Sequence, residues 1–174
     1  MNPNTPSSTD VLDFWFGAPE TPDRGSTRDE WFRQDAAFDR EIADRFGPLI
    51  EQALRGELRD WAGEPQSALA RILLLDQFTR NAFRGTPKAF AGDALALAAA
   101  QDMVARGWDL LLHPLDRVFV YMPFEHAEDL AAQRQALQLF GNLANAEPMM
   151  ADYASWARKH HDVIERFGRF PHRN

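Results

Sequence analysis

The chain has 174 residues, 45% of them hydrophobic and 26% charged, and is long enough to bury roughly two-thirds of its unfolded surface in one globular domain. Its net charge of −7 argues against nucleic acid as a general partner, because phosphate binding needs clustered lysine and arginine. There is no cysteine, which excludes disulfides, thiolate catalysis and thiolate metal sites.

Apolar residues recur at three- and four-residue spacing almost throughout, with no alternating stretch that reads as a strand, so the fold class is all-α. Residues 1–10 are polar and lack the basic and apolar regions of a secretory signal, and residues 1–8 are expected to be flexible. A first helix is expected from Ser8 or Thr9 to Gly17, followed by a loop over 18–26 that holds Pro19, Pro22 and Gly25. Thr27 and Glu30 have capping-box spacing and open a helix to Phe46. Gly47-Pro48 is expected to break it and start another, which Trp61 and Gly63 end.

A strong helix is expected from Pro65 to Asn81, then one from Thr86 to Arg106, a short piece over Pro114–Met122, and a long pair at 124–146 and 148–167. Glu147-Pro148 between the last two is too short for anything but an antiparallel hairpin. Residues 167–174 read as a non-helical tail, and the whole as a single domain of packed helical hairpins. The longest apolar runs, 73–75 and 94–100, fall far short of the ~20 residues of a membrane span, so a soluble cytoplasmic protein without a membrane partner is expected.

Three stretches set charge among hydrocarbon: LLLDQFTRNAFRG at 73–85, YMPFEHAED at 121–129 and RFGRFPHRN at 166–174. Buried charges are costly unless paired, so such stretches mark either structural ion pairs or a site. On a helical projection Asp76 and Arg80 lie within about 20° of Leu69, on its apolar stripe, and are spaced i, i+4. Either they form an intrahelical ion pair, or Asp76 orients Arg80 to bind a carboxylate or phosphate together with Arg84. Asn81 falls at that helix's end.

In the 124–146 helix, His126 falls on the apolar stripe with Glu125 at its border and Asp129 beside it. The acidic residues also suit a first helical turn, which favours carboxylates. On the last helix His161 lies on the stripe and His160 at its edge. In a straight hairpin the level of His126 corresponds to residues 166–170, which would let Arg166, Arg169, His172 and Arg173 approach Glu125 and His126.

Residues 158–174 carry five lysines and arginines against Asp162 and Glu165, a local +3 that leaves −10 on the other 157 residues. That tail can dock on the acidic body or gather an anionic ligand. No metal or other cofactor is expected: there is no His-x-x-x-His, and adjacent His160 and His161 diverge by about 100° on a helix. Serine-hydrolase and phosphate-loop patterns are absent. The tryptophans and phenylalanines read first as core.

The same three stretches, together with VLDFWFG at 11–17, resemble an uncharacterised family of mostly bacterial proteins, the domain-of-unknown-function 924 family, from Val11 to Asn174. The resemblance implies a fold like that of tetratricopeptide repeats, built of antiparallel hairpins with no recognisable repeat consensus, and implies no activity, cofactor or partner. Family members usually continue past the PHRN equivalent with a further short segment, whereas this sequence stops at Asn174; a truncation there leaves the tail incomplete.

The expectation drawn from the residues is a small anionic ligand held by Asp76, Arg80, Asn81, Arg84, Asp129, Arg169, His172 and Arg173. His126 would transfer a proton, and Glu125 or Asp129 would tune it. The rival expectations are a protein- or peptide-interaction scaffold and polar networks that only secure the fold.

Overall fold

The computed structural model describes residues 3–173; Met1 and Asn2 of the expected flexible terminus, and Asn174 at the end of the third polar stretch, lie outside the described residues. Among the described residues there is no strand. The helices are α1 (Ser8–Phe16), α2 (Ala36–Leu54), α3 (Pro65–Leu73), α4 (Thr79–Ala82), α5 (Asp93–Ala105), α6 (Pro114–His126), α7 (Leu130–Ala146) and α8 (Ala151–Phe167). A π turn over Leu74–Phe78 joins α3 to α4, so the two form one continuous rod. The chain divides into two compact units, Met1–Ala99 and Ala100–Asn174, with the boundary inside α5.

In the first unit α1 packs on α3, and α2 packs on the π turn and α4. Ser7 and Asp10 form a reciprocal capping box at the start of α1, and Gly17 ends the helix at a φ of 90°. Arg28 donates through Nη1 to the carbonyls of Phe14 and Trp15, each at 2.8 Å, and the Trp31 indole donates to Trp15 O at 3.0 Å. These bonds satisfy the end of α1 and fold the following segment back over it. The rings of Phe14, Trp15, Phe38, Phe46 and Phe78 meet within about 6 Å, forming an aromatic core.

Two expectations about α2 fail for physical reasons. Thr27 opens no helix, and residues 29–31 form only a 3-10 turn; the helix starts at Ala36, where Asp35 accepts from the amides of Ala37 and Phe38. Nor does Gly47-Pro48 break it. Pro48 and Asp44, whose carbonyl loses its helical donor there, are both exposed, so water can satisfy that carbonyl. The buried stripe of Ile42, Phe46, Leu49, Ile50 and Ala53 runs on through the proline.

The α3–α4 rod is buried on nearly all sides from Ala68 to Thr79. The π turn loosens its backbone, and side chains take up the carbonyls: the Thr79 hydroxyl donates to Leu75 O at 2.9 Å and Arg80 Nη1 to Asp76 O at 2.8 Å. Gly92 sits so close that a Cβ there would lie 2.2 Å from Leu75 O. After the rod, the expected Thr86–Arg106 helix resolves into a 3-10 turn at Pro87–Phe90 and then α5.

In the second unit α7 packs antiparallel on α8 and also on α6. Here α6 runs through Pro123 to His126, past the expected stop at Met122. Burial of Val118, Phe119, Val120, Tyr121 and Phe124 around that helix outweighs the one hydrogen bond the proline removes. Consequently Glu125 and His126 end α6, and α7 begins only at Leu130. The link to α8 includes a 3-10 turn at Pro148–Met150, and a similar turn at Pro171–Arg173 forms the tail. No helix of the described residues is long and apolar enough to cross a membrane.

The close approach at Gly92 predicts that Gly92→Ala lowers stability by about 1–3 kcal/mol, since backbone cannot yield as a side-chain tip can. Gly141 lies within α7, and a Cβ added there would meet nothing within 4 Å, so Gly141→Ala should raise stability by about 0.5–1 kcal/mol. Denaturant melts of the two variants check both signs.

Candidate functional site

The polar stretches build two constellations, each within its own unit. In the first unit Asp76 is fully buried, and the π turn aims it along the rod toward Arg80. Arg80 Nη1 lies 3.3 Å from Asp76 Oδ1, and Gln77 Nε2 donates to Asp76 Oδ2 at 2.7 Å. The guanidinium of Arg80 forms a two-pronged bond with Asp93 at the start of α5, at 2.7 and 3.1 Å, and lies over the Phe90 ring. Burial alone would lower the Arg80 pKa, but the carboxylates of Asp76 and Asp93 outweigh it and hold the group charged.

Nearby, Asp39 of α2 accepts from Arg84 at 2.7 and 3.1 Å and from Asn81 at 2.8 Å. Burial would raise the Asp39 pKa; the bonds from Arg84 and Asn81 override it and bring it below the usual carboxylate value. Thus Asp76, Arg80, Asn81 and Arg84 are joined to one another or to two acids, Asp39 and Asp93, that the sequence did not single out. Asp39 lies 42 and 45 residues from Asn81 and Arg84, and Asp93 13 residues from Arg80, beyond any helical spacing rule.

The second unit gathers Glu125, His126, His160, Glu128 and Arg173. Glu125 stands in the last turn of α6 and is only 5% exposed. His160 of α8 places Nδ1 2.8 Å from Glu125 Oε1 and 2.9 Å from the carbonyl of Trp156. Burial pulls the His160 pKa down, and Arg173 adds to that, but the Glu125 carboxylate and the Trp156 carbonyl prevail and the net shift is upward. The His126 ring lies 6.3 Å from that of His160, centre to centre, and its carbonyl accepts from Arg173 Nη2 at 3.1 Å.

The tail closes over this corner. Arg173 Nη1 lies 3.6 Å from Glu128, whose carboxylate also accepts from the Phe170 amide at 3.3 Å. Phe170 is buried, with its ring against those of His160 and His172 and under the Arg173 guanidinium. Gln133 of α7 secures the corner from within, donating to Glu125 O at 2.7 Å and Ala127 O at 2.8 Å, two carbonyls at the end of α6. Asp129 caps α7 through the Ala132 amide at 2.8 Å, and Arg169 is exposed. Tyr121, from the same motif, donates to Asp109 at 2.6 Å in a buried pair, and its hydroxyl accepts from Arg117 at 3.1 and 3.0 Å.

Helical projection sets His160 at the edge of its stripe and does not pair it with Glu125. The available signal is a histidine one turn beyond Trp156, and what hides it is the assignment of Glu125 and His126 to α7.

A family described as "Bacterial protein of unknown function (DUF924)" matches residues 11–174. The chain belongs to the DUF924 family. It is also similar to a solved structure from Agrobacterium tumefaciens, the protein of unknown function ATU0120, at 44% sequence identity and a TM-score of 0.82, covering 96% of this chain and 87% of that one. No curated protein matches.

Two opposite pH limbs follow from these pairs. The raised His160 pKa contributes stability that is full below about pH 6.5, the unfolded histidine value, and is lost as pH rises through the folded value. Glu125→Gln should lower the His160 pKa, seen directly by NMR titration of its ring protons. The lowered Asp39 pKa contributes stability present above about pH 3.9 and lost as pH falls through the folded value. Asp39→Asn should therefore flatten the acid limb of a stability profile measured by urea melts.

Proposed function

We propose that this DUF924 protein binds a small anionic metabolite at the Glu125–His126–His160–Arg173 corner, with His160 as the group that moves a proton. The observation that carries the reading is the bond from His160 Nδ1 to the buried Glu125 carboxylate at 2.8 Å, with the His160 side chain still 30% exposed. A carboxylate on one ring nitrogen fixes the tautomer and raises the basicity of the other, which is the arrangement general acid–base catalysis needs. His126, His172 and Arg173 supply further cationic or hydrogen-bonding groups from the same corner. No metal enters this reading. The two carboxylate-paired arginines of the first unit, Arg80 and Arg84, have the geometry of structural ion pairs and are not assigned to this corner.

The test is a thermal-shift titration with inorganic phosphate, phosphonoacetate and succinate on wild type, His160→Asn and Arg173→Gln. At least one anion should raise the wild-type Tm, and both substitutions should reduce that rise severalfold. Equal rises in all three folded proteins would overturn the reading.

A second reading rests on a different observation. Met149, Trp156 and Phe167 are 86%, 55% and 51% exposed and, at helical spacing, share one side of α8 and its leading turn. Such a stripe suits a protein partner, and the antiparallel hairpins would then serve as a tetratricopeptide-like scaffold. A stoichiometric partner bound by wild type and lost in Trp156→Ser/Phe167→Ser, with no anion-induced shift, would favour it.

A further inference from the structure

In the second unit α5 and α7 flank a groove of about 380 Å³ whose lining is unlike that of the histidine corner. Four primary amides line it: Gln101 from α5 and Gln135, Gln138 and Asn142 from α7. None of these four side chains bonds to another described residue. Phe124 and Leu139 supply apolar lining, with Val104 on the α5 side, and no charged residue takes part among the described residues.

A site without charge cannot compensate the desolvation of a charged ligand, so its occupant is neutral. Each primary amide offers a donor and an acceptor side by side, the complement of the N–H and C=O of a peptide group. Gln135, Gln138 and Asn142 fall within about 60° of one another on α7 and extend over about 10 Å of its length. Three residues of extended peptide cover the same distance, at about 3.3 Å each. The apolar lining can receive an uncharged side chain between the amides.

We propose that this groove binds an extended, uncharged peptide segment, with the amides reading its backbone and Phe124, Leu139 and Val104 taking an aliphatic side chain. The site is independent of the proposed chemistry at His160.

The experiment titrates the ¹⁵N-labelled full chain with acetyl-Ala-Leu-Ala-amide, following the side-chain NH₂ signals of Gln135, Gln138 and Asn142. Saturable shifts of these signals are expected. The depsipeptide in which an ester oxygen replaces the leucine N–H should bind about three- to tenfold more weakly, the effect of one lost hydrogen bond. Gln135→Ala/Gln138→Ala changes two exposed positions, so its folding can be verified by circular dichroism, and it should weaken binding about tenfold or more. Absence of saturable shifts up to the solubility limit would overturn the proposal. So would equal affinity for the ester, or unchanged affinity in the folded double variant.

Discussion

A carboxylate at the C-terminal end of a helix, and under cover from water, sits where both the helix dipole and desolvation oppose its charge. Glu125 is in that position, and much of the second unit can be read as the response. His160 reaches it from α8 at 2.8 Å, and the Trp156 carbonyl favours the same protonated imidazole. Gln133 takes up the carbonyls of Glu125 and Ala127, which removes two further acceptors from an already negative helix end. Arg173 adds a cation on the His126 carbonyl and near Glu128, and by doing so fastens the tail. One ill-placed negative charge thus ties together α6, α7, α8 and the terminal turn.

The first unit meets the opposite problem, a guanidinium with little access to water, by the opposite means. Asp76 and Asp93 flank Arg80, and the π turn supplies it with a backbone carbonyl as well. Removing one member of such a set costs about 3–5 kcal/mol because a charge is left uncompensated, although well-packed hydrocarbon in place of the whole set can be neutral. The network is therefore better understood as fixing geometry than as adding stability. Gly92 shows what geometry is fixed: with no Cβ it lets the start of α5 approach Leu75 O, which brings Asp93 to Arg80.

How much of this the sequence discloses depends on the range of the interaction. Helix α1 is legible at both ends because Ser7, Asp10 and Gly17 act locally, and α8 ends at Phe167 because Gly168 takes a φ of 70°. Pro48 misleads because it is read as a break, and the boundary expected between Met122 and residue 124 fails in the same way at Pro123; buried stripes on either side carry each helix through. The π turn has no local code in LLLDQF and is stabilised by Thr79, Arg80 and the packing of Gly92. Within the second unit the same proline error carries into the site. Reading Glu125 and His126 as the start of α7 sets them opposite residues 166–170, whereas as the end of α6 they face His160. Their chemical type is legible; their partner is a matter of tertiary structure.

The protonation of His160 narrows what this corner can do. Two acceptors, the Glu125 carboxylate and the Trp156 carbonyl, converge on Nδ1, so that nitrogen keeps its hydrogen and Nε2 is the atom that gains or loses a proton. With its pKa raised, the ring rests closer to the imidazolium form at neutral pH than an isolated histidine does. An imidazolium presents a donor, not a lone pair, which suits either anchoring an anion or giving it a proton and disfavours abstraction of a proton as the first step. In the proposed chemistry Glu125 would be a positioning residue, setting the tautomer and charge of His160. The same logic separates the two proposals: the corner would meet charge and the amide groove a neutral peptide group, and a single ligand type would not satisfy both.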